Sequence, residues 1–107
     1  MLFRSAVASR EPTKLAPGLP TIAASGLPGY EAVTMVGVFA PAGTPAAIVQ
    51  RIHQSIVALL ALPELRDRLT ASGAEAVGNT PEAFTATIQG EMARMGKVIR
   101  DAHIRDE

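Results

Sequence analysis

Pro28-Gly29-Tyr30-Glu31-Ala32-Val33-Thr34-Met35-Val36-Gly37-Val38-Phe39-Ala40-Pro41-Ala42-Gly43-Thr44-Pro45 runs from a turn through an apolar segment to a helix start. Leu27 to Tyr30 forms a turn with Pro28-Gly29 at its core. From 31 to 40 the chain is nearly continuously apolar and rich in β-branched residues. Ala32, Val33, Val36, Val38, Phe39 and Ala40 have only Thr34 as a polar residue among them. Such a run predicts a strand buried on both faces, as in a sheet covered by helices. Gly37 interrupts it. A glycine inside a strand loses packing and marks either a helix lying close over the sheet or a cleft that leaves room for a ligand. Both readings stay open at this stage.

Downstream, Pro41 to Pro45 is a loop and a helix start in one. Thr44 is placed as N-cap, and Pro45 at the first helical position, where its missing N–H costs nothing. The spacing then predicts a helix over 45–61, with Ile48, Val49, Ile52, Ile56, Leu59 and Leu60 on one stripe. Leu62-Pro63 breaks it. A shorter helix over 63–72 pairs Leu65 with Leu69 and ends at Gly73. Ala74 to Val77 reads as a short edge strand. Thr80-Pro81 repeats the earlier cap, and a final helix carries Phe84, Ile88, Met92, Met95 and Ile99 on one face. Glu82 in its first turn and Lys97 and Arg100 in its last suit the helix dipole. Gly90 and Gly96 cost that helix roughly 1 kcal/mol each against Ala. From Asp101 the polar tail is expected to fray.

Upstream, residues 2–9 read as a short strand, since eight residues rarely hold a helix alone. Pro12, Pro17, Gly18 and Pro20 make 10–20 a loop. Thr21 is placed to cap a short helix over 22–25, ended by Gly26 in a left-handed conformation. The order is strand, loop, strand, helix, helix, strand, helix: an α/β class with short strands covered by about three main helices.

At 107 residues the chain amounts to at most one ordinary domain. Its hydrophobic fraction of 48% is that of a folded chain rather than a disordered one. Ten basic and ten acidic residues cancel, so no bulk field draws it to nucleic acid or to an anionic membrane. With no cysteine, disulfide and thiolate chemistry are excluded. The longest apolar run is too short to span a bilayer. His53, on the polar face of its helix, and His103, in the tail, have no partner at ligand or triad spacing. Glu64, Asp67, Glu75, Glu82 and Glu91 are dispersed, which argues against a paired acid/base site. The loop around Gly43 has neither the lysine nor the second glycine of a phosphate loop. No catalytic constellation and no cofactor or metal site emerge, so the residues point away from an enzyme.

Five motifs carry a resemblance. Leu19-Pro20-Thr21-Ile22-Ala23-Ala24-Ser25-Gly26-Leu27-Pro28-Gly29-Tyr30 resembles the P-T-I-A-E-x-G-x-x-G-Y signature of the substrate-binding proteins of tripartite tricarboxylate transporters, the TctC or Bug family. Gly37 to Pro45 is similar to that family's G-x-x-A-P-x-G-T-P. The Pro63-Glu64-Leu65-Arg66-Asp67-Arg68-Leu69 helix, Gly73-Ala74-Glu75 and Thr80-Pro81-Glu82 follow in family order. The resemblance runs from about Arg4 to Ile104. Met35 and Met95 stand where the family usually has Trp, and Ala24 where it usually has Glu, so two large aromatics give way to flexible thioethers.

The resemblance implies a periplasmic-binding-protein type II lobe, present only in part. Family members are secreted receptors of two lobes that grip a small carboxylate or similar solute and deliver it to membrane transporter subunits. In that frame residues 1–30 correspond to the end of the second lobe and the hinge crossing, and 31–107 to the C-terminal part of the first lobe. Met35 and Gly37 are the expected ligand-facing residues. The family is periplasmic. The N-terminal run as written is too short for a signal peptide, which as written predicts a cytoplasmic chain. The expectation is a fragment not competent to bind solute alone, with exposed strand edges that favour self-association. The alternative from another class is a small scaffold domain that dimerises through the edge of the 31–40 strand.

Overall fold

The structure, a computed structural model, describes residues 5–105. They form three α-helices: α1, Ala46–Leu60; α2, Pro63–Ala71; and α3, Pro81–Asp101. A single turn of 3-10 helix, Ala23–Ser25, precedes them. The helices follow the expected order and lengths, because each is specified by contacts within its own segment. α1 and α2 meet at a bend of 80°, where Pro63 has no N–H with which to continue α1. Arg66 donates from Nε to the Leu60 carbonyl at 2.8 Å and so satisfies one of the groups left free at that helix end.

The ends of α2 and α3 are closed by the same device. Beyond α2 the Gly73 N–H reaches the Thr70 carbonyl at 3.0 Å and the Ala74 N–H reaches Leu69 at 2.9 Å. That is a Schellman closure, with Gly73 at φ +79°. Beyond α3 the His103 N–H reaches Arg100 at 3.2 Å and the Ile104 N–H reaches Ile99 at 3.0 Å. Here a histidine occupies the left-handed position, at φ +52°. The expected fraying from Asp101 is therefore corrected: the chain stays hydrogen-bonded through Ile104. The expectations for residues 1–4 and 106–107 lie outside the described residues.

The two Thr-Pro starts diverge. Thr80 Oγ1 accepts the Ala83 N–H at 3.2 Å, a side-chain cap as expected. Thr44 does not cap α1. Its hydroxyl donates back to the Pro41 carbonyl at 2.7 Å, Pro45 takes the cap position and the helix begins at Ala46. The reason is local: the Thr44 N–H also closes on Pro41, at 3.2 Å, in a turn with Gly43 at φ +82°. That is the conformation the third residue of a type II turn requires. The turn draws the threonine away from the helix.

The strands are corrected most. Among the described residues there is no regular strand, only an isolated parallel bridge between Val7 and Thr21. Residues 31–40 and 74–77, expected as strands, have no ladder. The 31–40 ribbon is not buried on both faces: Val36 is 93% exposed, and Val38 and Phe39 are each 71% exposed. A strand exists only as one member of a pair. The nearest backbone partner, Ala8, meets this ribbon once, through the Ala32 N–H at 2.9 Å. Beyond that point no neighbouring strand accompanies it among the described residues. The α/β expectation thus stands corrected for the described residues, which are helical with connecting ribbons.

No apolar side chain among the described residues is fully buried; Thr21 is the one buried residue. Its hydroxyl accepts the Ala24 N–H at 3.1 Å, as its capping role predicted, and its carbonyl accepts from Ser25 Oγ at 2.8 Å. The radius of gyration, 17.2 Å, exceeds the roughly 13 Å of a compact domain of about 100 residues. The apolar stripes of α1 and α3 are accordingly half covered. On α1, Val49, Ile56 and Leu60 are partly buried while Ile48, Ile52 and Leu59 are exposed. On α3, Phe84 and Ile88 are partly covered, whereas Met92, Met95 and Ile99 are open.

Candidate functional site

The 31–40 ribbon carries both expected ligand-facing residues, and it touches α3 at two places. Near its start the Glu31 carbonyl accepts from Arg94 Nη1 at 2.6 Å. The same guanidinium holds the Glu91 carboxylate with Nε at 3.1 Å to Oε1 and Nη2 at 2.9 and 2.7 Å to the two oxygens. Hydrogen bonding to the Glu91 carboxylate raises the Arg94 guanidinium pKa above its ordinary value, desolvation opposes the rise, and the negative charges of Glu91 and Glu31 add to it. Toward the ribbon's end, Phe39 and Phe84 rings lie 5.6 Å apart at a 45° tilt, a favourable aromatic arrangement.

Gly37 abuts the edge of the Phe84 ring. A Cβ at position 37 would overlap ring carbons Cζ and Cε1. The close approach by a helix, one of the two readings of this glycine, is thus what the geometry contains. Side chains on an extended ribbon alternate. Val36 and Val38 point to solvent, and the alternation places Met35, 40% exposed, on the side of Gly37 and Phe39. Met35 and Gly37 therefore share one side of the ribbon, with Gly37 against the Phe84 ring edge.

Beyond the ribbon's end, the type II turn at Gly43 leads into the N-terminus of α1. The Ile48 and Val49 amides are bonded to the Pro45 carbonyl, at 2.9 and 3.2 Å. His53, expected on the polar face of α1, ties that helix to the segment before α3: Nε2 donates to the Asn79 carbonyl at 3.1 Å. A carbonyl only accepts, so the proton sits on Nε2. His103 is exposed at its helix end. A shallow open hollow lies elsewhere, lined by Lys14, Leu15, Arg66, Thr70, Glu75 and Ala76. Among the described residues no group of three or more His, Asp or Glu gathers in a way that could hold a metal ion. No single helix among them is long and apolar enough to cross a membrane.

Phe84 and Arg94 are the residues that the sequence reading did not assign to the site. Phe84 looked like ordinary helix stripe. The Glu91-x-x-Arg94 spacing signals an ion pair on α3, but nothing in the sequence shows that the pair reaches a carbonyl 63 residues away.

The family model described as the tripartite tricarboxylate transporter family receptor matches residues 3–104. The chain is 40% identical over 84 residues to the UPF0065 protein in the tcbD-tcbE intergenic region of Pseudomonas sp. (strain P51), covering 78% of this chain and 25% of that protein. It is 33% identical over 94 residues to the UPF0065 protein in the clcB-clcD intergenic region of Pseudomonas knackmussii, covering 87% of this chain and 56% of that protein. The chain thus spans between a quarter and about half of the length of these relatives. No solved structure matches it significantly.

Proposed function

This chain belongs to the tripartite tricarboxylate transporter receptor family, and we propose that it supplies the C-terminal part of a periplasmic receptor for small carboxylates or related solutes. The observation that carries this reading is the family match, continuous over 3–104. In it, residues 1–30 are the end of the second lobe and the hinge crossing, and 31–107 complete the first lobe of a type II periplasmic-binding-protein architecture. The 31–40 ribbon is then a strand of the first lobe, with Met35 and Gly37 on the side turned to the cleft, where Phe84 already fills the space beside Gly37. The exposure of Val36 and Val38 supports a ribbon whose open face packs against further parts of a longer receptor. Binding is non-covalent: backbone amides and helix N-termini hold an anionic solute, and membrane transporter subunits receive it. No bond is made or broken, so the protein acts as a receptor and not as an enzyme.

Two measurements test this. Calorimetry of the 107-residue chain against a panel of di- and tricarboxylates is expected to give no heat of binding, because one ribbon does not enclose a solute; micromolar affinity would overturn that expectation. A chimera in which residues 3–104 replace the matched stretch of the Pseudomonas sp. relative is expected to bind a member of the panel. A folded chimera that binds none removes the carboxylate reading.

A further inference from the structure

Two hydrogen bonds hold the 31–40 ribbon among the described residues. One is the Ala32 N–H to the Ala8 carbonyl, and the other is Arg94 Nη1 to the Glu31 carbonyl. The second is the one that sets the ribbon against α3. Glu31 meets α3 at Arg94, and Gly37 and Phe39 meet it at Phe84, so the ribbon runs antiparallel to the helix. The ten residues from Phe84 to Arg94 rise about 15 Å along the helix axis. The six steps from Glu31 to Gly37 reach at most roughly 20 Å. An extended ribbon of this length spans both attachment points, so the Arg94 and Phe84 contacts hold at once.

We propose that Arg94 is the positioning residue that seats this ribbon on α3, and that Glu91 aims it. The guanidinium is planar. With Nε and Nη2 engaged on the Glu91 carboxylate, Nη1 is left directed away from that edge, at the Glu31 carbonyl. A lysine is a point donor and cannot hold both partners in one plane. Any role of this seat in solute binding rests on the receptor reading above, but the seat itself does not.

The charge-exchanged variant E91R/R94E separates the two jobs of the pair. It keeps opposite charges at i,i+3 on α3, yet position 94 loses every donor to Glu31. The readouts are the nuclear Overhauser cross-peak between the Phe39 and Phe84 rings and the emission of Tyr30, the only tyrosine in a chain without tryptophan. Far-UV circular dichroism follows the helix. Expected in E91R/R94E are unchanged helicity, at least a fivefold weaker Phe39–Phe84 cross-peak and altered Tyr30 emission. R94K, which keeps charge and helix propensity, is expected to weaken the cross-peak without abolishing it, and it decides the question if the double variant loses helicity. Wild-type cross-peak intensity in either variant with α3 intact would overturn the proposal, as would absence of the cross-peak in the wild-type chain. No solute enters the measurement, so its failure is distinct from that of the chimera.

Discussion

α3 and the 31–40 ribbon are opposite cases on the same molecule. α3 runs 21 residues with a threonine cap at one end and a Schellman closure at the other. All but its terminal backbone groups are satisfied inside the segment. The ribbon is more apolar, but its backbone depends on partners from elsewhere, and among the described residues it has them only at Glu31 and Ala32. Hydrophobicity decides what a segment would bury; hydrogen-bond topology decides whether it stands without neighbours.

Proline substitution should break this contrast most clearly. Ile88→Pro in mid-α3 removes a helical hydrogen bond and clashes with the preceding turn, at a cost of about 3 kcal/mol, and should show as a large loss of helicity by circular dichroism. Val36→Pro, at a position that is 93% exposed and makes no ladder bond among the described residues, should leave helicity almost unchanged and stability within about 0.5 kcal/mol. Equal losses would mean that the ribbon is paired in solution.

Gly37→Val sharpens the same contrast at the point where the two regions touch. The added side chain has to displace the Phe84 ring, at about 1–2 kcal/mol, the lower part of the overpacking range because the ring is only partly buried. The Phe39–Phe84 cross-peak should vanish while α3 stays helical. A retained cross-peak would place Gly37 away from α3.

The smallest effects belong to the helix ends. His103→Gly relieves a side chain from the left-handed region and should raise thermal stability by about 1 kcal/mol, and Gly73→Ala should lower it by a similar amount. Thermal unfolding of the two variants should shift in opposite directions. A shift of the same sign in both would show that the closures do not limit stability.

Much of this was legible beforehand because it is local. The break at Pro63, the stop at Gly73, the cap at Thr80 and the turn at Pro28-Gly29 each depend on a few consecutive residues, and each is present. Thr44 misled because two local devices compete for one hydroxyl, and the turn at Gly43 wins. The 31–40 ribbon misled for a different reason: its composition records the burial of a strand, while pairing is non-local. At the candidate site Gly37 was recognisable as a close-approach position, but its neighbour Phe84 was not. Arg94 was invisible in this role because its acceptor is a carbonyl, which every residue carries.

The three helices, most of their ends and the family are thus written in adjacent residues, through capping, periodicity and ordered motifs; the start of α1 and the closure after Asp101 are not. That the apolar ribbon lies open along α3, against the edge of Phe84 and beside Arg94, follows only from the fold as a whole. Contacts between residues tens of positions apart depend on how the chain returns on itself, and no short-range pattern encodes that return.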